Sequence, residues 1–155
     1  MNLVDELYAI SAALVGGGVR HAVCGGVAVT VHGATRSTKD IDLLIDPADV
    51  PRALELVRPL GYLFAALPMI FEEGTPRERH VQRVSKIVSG EHLVVDFLQA
   101  TASLGGFLND TIEVSLPDGP RLVVVSRDTL IRMKRLAGRA QDLADIEKLE
   151  QRHGD

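Results

Sequence analysis

Asp40 and Asp42 stand two apart in DIDLLID (residues 40–46), an alternating segment of strand type. On a strand this spacing puts both carboxylates on one face, with Cα atoms about 6.5 Å apart. Two carboxylates side by side repel unless a positive group lies between them. Hard oxygen ligands with no His or Cys beside them suit Mg2+ or Mn2+ better than zinc. The pair alone carries little. With 12 Asp in 155 residues, about one Asp-x-Asp is expected by chance. A solvated strand face is the plain alternative.

Asp96 adds a third carboxylate. It lies in HLVVDFLQ (92–99), apolar on both faces, as in a strand inside a sheet. An ionised Asp there must be paired or metal-bound. It is therefore a third ligand beside Asp40 and Asp42, or the partner of an arginine such as Arg83 or Arg121. Gly25-Gly26 follows a short apolar strand candidate (20–24). A strand–Gly-Gly–helix unit bares backbone N–H groups where phosphate binds well. A tight turn is the bland reading, since Gly-Gly recurs at 16–18 and 105–106.

The elements that must position these groups can be read along the chain. Leu3, Leu7, Ile10 and Leu14 have helical spacing behind Asn2 as N-cap, and Gly16-Gly17-Gly18 ends that helix. The valines of VAVTV (27–31) favour a strand by propensity. Asp46 caps a helix with Pro47 at its first position, running to about Arg58. Residues 61–76 are less regular, with a loop at 72–76. Residues 79–88 and 92–98 form a hairpin around Ser89-Gly90, and 111–116 and 121–126 a second one around Pro117-Asp118-Gly119-Pro120. Ser126 caps a helix that ends at Gly138, and a last helix carries Leu143, Ile146 and Leu149 on one face. No repeat or linker appears. The mixture predicts an α+β fold in a single domain over residues 1–155, a mixed sheet with helices packed against it.

Composition narrows the function. Hydrophobic residues at 46% and charged residues at 25% exclude disorder. Aromatics at 4% argue against a stacking platform for single-stranded nucleic acid. A net charge of −4 makes a poor duplex-DNA coat but leaves metal-assisted nucleotide binding open. Cys24 is alone and reads as a small buried residue, so neither a disulfide nor a cysteine zinc cluster can form. No apolar run reaches membrane-spanning length, and Asp5 and Glu6 do not suit a signal peptide. These readings favour a reduced, cytoplasmic protein with no membrane partner.

Taken together, GGVAVTVHGATRSTKDIDLLI resembles the nucleotidyltransferase signature of the DNA polymerase beta superfamily. The 13 residues between Gly26 and Asp40 lie at the long end of its spacing. Val95-Asp96-Phe97 is similar to the later apolar–Asp–apolar element, and Arg36-x-Thr38-x-Asp40 to a run in small bacterial members. The tail LIRMKRLAGRAQDLADIEKL resembles minimal nucleotidyltransferases of the abortive-infection toxin type, with Gln141 where Lys is common. The resemblance covers residues 20–150 and implies a short helix at 26–32 against the valine propensity. It implies that Asp40, Asp42 and Asp96 hold Mg2+ or Mn2+, with Asp96 helping to activate the attacking hydroxyl. It further implies that Gly25, Gly26, Arg36, Thr38 and Lys134 contact the nucleoside triphosphate. Asp142 and Asp145 also match family positions, but read better as helix-start and salt-bridge residues, with Arg139 as partner.

The expected activity is transfer of a nucleoside monophosphate from an NTP to a hydroxyl of tRNA, protein or a small molecule. An antitoxin partner belongs to the toxin-like version. The alternative is a catalytically weak nucleotide- or partner-binding module of the same fold. Residues 127–139 carry a local charge of +4, from Arg127, Arg132, Lys134, Arg135 and Arg139 against Asp128. That face suits an RNA backbone or plain solvent.

Overall fold

A computed structural model describes residues 2–115, 117 and 119–154. Helix α1 (Leu3–Gly16) starts where Asn2 accepts hydrogen bonds from the Val4 and Asp5 amides. Strand β1 (His21–Cys24) follows, fully buried, and leads into helix α2 (Gly25–Val31). Strand β2 (Asp40–Ile45) passes into a 3-10 turn at Pro47–Asp49, capped by the Asp46 carboxylate, and then into α3 (Val50–Val57). Strands β3 (Phe64–Ala65) and β4 (Met69–Phe71) occupy the stretch that sequence left irregular. The long hairpin β5 (Arg79–Val88) and β6 (Glu91–Gln99) turns at Ser89 and Gly90, both with positive φ. A second hairpin joins β7 (Thr111–Ser115) to β8 (Arg121–Val125); its expected turn lies partly outside the described residues. Helix α4 (Arg127–Ala137) is capped by Ser126 and ends at Gly138 in the left-handed region, and α5 (Ala140–Gly154) follows.

The eight strands among the described residues form one mixed sheet in the order β3-β5-β6-β2-β1-β8-β7, with β4 also beside β5. β2 lies at its centre, parallel to β6 and antiparallel to β1. Ile41, Leu43, Leu44 and Ile45 are buried there, and the helices cover the apolar faces with residues such as Leu7, Ile10, Leu14, Ala53 and Val57. This is the α+β architecture expected.

Two local readings are decided by packing. VAVTV is helical despite its valines, because Ala28 and Val29 from a single turn fill the core while Val27 and Val31 pack at its margin. Leu143 does not join Ile146 and Leu149 in the core. It is 56% exposed, against 7% and 1% for the other two, since α5 packs on α4 along a narrower stripe than its apolar spacing suggested.

Candidate active site

Asp42 and Asp96 are direct register partners in the parallel β2–β6 pair, and Asp40 pairs with Val94. Adjacent strands keep side-chain faces in step, so the three carboxylates share one face. They line a single cavity of about 370 Å3 at the end of β1 and β2, together with Gly25, Gly26, Arg36, Thr38 and Lys134. Every site residue expected from sequence therefore borders one space.

The carboxylates differ in their surroundings. Asp40 is exposed, while Asp42 and Asp96 are half-buried. Among the described residues, neither Asp40 nor Asp42 has a side-chain hydrogen bond or ion pair. Burial, then the charges of Asp96 and Asp40, push the Asp42 carboxyl up to about 7; the Lys134 and Arg139 charges pull against this. Asp96 is held by Arg83 through both oxygens, Nε to Oδ1 at 2.8 Å and the terminal Nη2 to Oδ2 at 2.9 Å. Arg121 pairs with Glu113 instead, at 3.2 Å.

The donor set of Asp40 and Asp42 fits a hard divalent ion: two neighbouring carboxylates without partners, one already resisting ionisation. The full cage expected from sequence is not preformed. Among the described residues no group of three His, Cys, Asp or Glu is arranged to hold a metal ion. Asp96 faces the pocket, but both of its oxygens are bound to the Arg83 guanidinium.

The glycine pair has a concrete steric role. Gly25 has φ +64, and a Cβ there would collide with the Asp42 carboxylate. A Cβ on Gly26 would come within 2.8 Å of the Thr38 Cβ. The turn into α2 thus packs directly on Asp42 and Thr38. Cys24 caps that helix with backbone only, leaving its first-turn amides free of a side-chain cap. Burial pushes the Cys24 thiol well above its ordinary range, so it behaves as an inert core residue.

Cations from α4, the turn between α4 and α5, and the loop before β2 form the opposite wall. Lys134 is buried, 3.3 Å from Asp142 and 3.0 Å from Asp145. Arg36 reaches Asp145 at 3.2 Å, and Arg139 reaches Asp142 at 2.7 Å. Burial works to raise both acids, but their hydrogen bonds and these cations outweigh it and hold them below the usual carboxylate range. Asp142 and Asp145 are therefore the salt-bridge residues expected, with Lys134 and Arg36 joining Arg139 as partners. Within residues 127–139, Lys134 and Arg139 are paired with acids as above, and Arg135 with Glu150 at 2.7 Å; Arg127 donates to the Leu149 carbonyl.

Sequence reasoning missed the wall contributed by β4 and β5. Phe71 and Arg79 are cross-strand partners that line the cavity, with the Arg79 guanidinium 5.4 Å from the Phe71 ring centre. Alternation along β5 was the available signal, since Arg79, Val81 and Arg83 share one face.

No family model matches the chain, and no curated protein does. Solved structures do match. The lincosamide antibiotic adenylyltransferase LnuA, with lincomycin bound, superposes with a TM-score of 0.57 at 17% identity, over 94% of this chain and 95% of that one. ANT(2'')-Ia, in complex with adenylyl-2''-tobramycin, gives 0.57 at 16% identity, over 94% and 86%. TM1012 from Thermotoga maritima, assigned as a nucleotidyltransferase, gives 0.62 at 14% identity, over 96% and 92%. The chain has the nucleotidyltransferase fold. Among the described residues no helix is long and apolar enough to cross a membrane.

Proposed function

We propose that this chain transfers a nucleoside monophosphate from an NTP to an acceptor hydroxyl and releases pyrophosphate. One observation carries the reading. Three carboxylates, a Gly-Gly turn and a clamped cation wall, drawn from separate elements, converge on one cavity in a nucleotidyltransferase fold. A divalent ion, Mg2+ or Mn2+, would be held by Asp40 and Asp42 and would supply charge stabilisation on the phosphate oxygens. Arg36 and Lys134, fixed by Asp145 and Asp142, face the triphosphate and offset its charge. Thr38 and the amides behind Gly25 and Gly26 border the phosphate-binding end. Asp96 stands where it can take the proton of the attacking hydroxyl, and the resemblance also gives it a share in metal binding. The oxygen attacks the α-phosphorus as the bond to the β-phosphate oxygen breaks. The site's part is to hold the two in line.

A small-molecule acceptor is favoured over RNA. LnuA and ANT(2'')-Ia are held with lincomycin and with adenylylated tobramycin, and Lys134 and Arg135 of the basic helix are paired with acids of α5 instead of standing open to a phosphate backbone. The resemblance of the tail to toxin-type members adds an expectation of cytoplasmic action. Growth arrest on expression, abolished by Asp42→Asn and relieved by an antitoxin partner, would support it.

The test is pyrophosphate release with each of the four NTPs and Mg2+, against small hydroxyl compounds, total tRNA and protein in parallel. At least one combination should turn over in the wild type and none in Asp42→Asn. Nucleotide binding without pyrophosphate release in any combination would instead establish the binding module.

A further inference from the structure

We propose that Arg83 occupies the cation position on Asp96, so that the chain holds one divalent ion, on Asp40 and Asp42, and excludes a second from Asp96. This rests on the nucleotidyl-transfer reading and specifies its metal content.

The pocket contains five cations, and four are committed to acids outside the triad. Arg36 is on Asp145, Lys134 on Asp142 and Asp145, Arg139 on Asp142, and Arg79 on Glu72 at 2.9 Å. Arg83 alone among them is bound to one of the three carboxylates. Its position is set by the backbone, because Arg83 and Asp96 are cross-strand partners in the β5–β6 hairpin. The contact is a two-bond fork that occupies both carboxylate oxygens, the strongest form of Arg–carboxylate pairing. A guanidinium cannot lose its charge by titration.

A dication on Asp96 would lie against that positive charge and would compete with a guanidinium already bonded to both oxygens. Asp40 and Asp42 offer oxygens with no such competitor. The Asp40 and Asp42 charges also reach Arg83, after its bond to Asp96, and hold its pKa above the ordinary value, which places the guanidinium within the field of all three acids. Arg83 thus does at Asp96 what a second ion does between carboxylates: it offsets like charge on one face.

The experiment counts Mn2+ bound to the full chain by electron paramagnetic resonance, with Mn2+ alone as probe. The wild type should bind one ion per chain. Arg83→Met should bind two, with affinity at the gained site at least about tenfold above any second binding in the wild type. Arg83→Met/Asp96→Asn should return to one. Circular dichroism checks folding, and Arg83→Gln replaces the Met variant if that variant does not fold. Two ions in the wild type, one ion in Arg83→Met, or two in the double variant each overturn the proposal while leaving nucleotidyl transfer standing. No Mn2+ in any of the proteins overturns the metal reading of the function as well.

Discussion

One aspartate cluster lines the pocket and a second lies buried behind its cation wall, and the two have opposite electrostatics. Asp142 and Asp145 are 2% and 0% exposed, yet their pKa values are lowered. Asp42 has no ion pair among the described residues, and its pKa rises to about 7. Burial acts in the same direction on all three and is the largest push on Asp42. What differs is whether ion-pair partners outweigh it. Lys134, Arg36 and Arg139 share the buried cluster, whereas Asp40 and Asp42 have no ion pair among the described residues. A compensated cluster locks α4 to α5 and sets cations along a wall. An uncompensated one stores repulsion that an arriving cation relieves.

The largest expected effect comes from breaking the compensated side. Asp145→Ala leaves Lys134 buried with half its neutralisation and frees Arg36. Removing one partner of a buried ionic network costs about 3–5 kcal/mol. Urea denaturation of the metal-free protein measures it. A loss under about 1 kcal/mol, the range of surface pairs, would show that the two clusters do not differ as described.

Gly25→Ala tests the uncompensated side through its packing. The substitution must adopt φ +64 and set a Cβ against the Asp42 carboxylate. Strain of this kind costs about 1–3 kcal/mol, read as a drop in Tm. Displacing Asp42 should also raise the Mg2+ concentration needed for turnover. Gly18→Ala, with φ +76 and open space around its Cβ, is the control: strain alone, with the metal requirement unchanged.

Asp42→Asn has the opposite sign. The folded pKa, about 7, lies above the ordinary 3.8, so the native state binds this proton more tightly than the unfolded chain. The associated stability is fully present below pH 3.8 and is lost as pH rises through about 7. In metal-free buffer the variant should therefore be more stable than the wild type at pH 8, by up to about 4 kcal/mol, and close to it near pH 4. Turnover should vanish. Added Mg2+ should raise the Tm of the wild type at pH 8 and leave the variant unmoved. A variant less stable than the wild type at pH 8 would mean that Asp42 is a structural anchor like Asp145.

Much of this contrast was legible in the sequence. The same-face spacing of Asp40 and Asp42 follows from strand geometry alone. So does the Arg83–Asp96 pairing in part, since both residues lie equally far from the Ser89-Gly90 turn, which fixes the hairpin register. That register makes Arg83 the partner, while Arg121 belongs to the other hairpin. The clamp on Lys134 was not legible. It requires α5 to fold back on α4 after Gly138, and tertiary contact has no local signal. Nor was the β3–β4 edge, whose apolar run 62–71 is broken by Pro68 and has no alternation. The helix after Gly25 was legible only through resemblance, because its valines argue for a strand.

The smallest expected effect joins the two clusters. Arg139 clamps Asp142, but its side chain is 76% exposed, and Lys134 remains on the same acid. Arg139→Gln should therefore cost under about 1 kcal/mol, the range of solvent-exposed ion pairs. Its charge also acts on Asp42, lowering that pKa against the dominant effect of burial and the neighbouring Asp96 and Asp40. Without Arg139 the Asp42 pKa rises further. The acid limb of the pH–rate profile should then move to higher pH, by about a few tenths of a unit at low ionic strength and less at 0.5 M salt. Arg135→Gln breaks a comparably exposed pair with Glu150, and the Arg135 charge is not among those acting on Asp42. It should match the stability loss and leave the profile in place. Equal shifts from the two variants would mean that the cation wall acts on Asp42 only as diffuse surface charge.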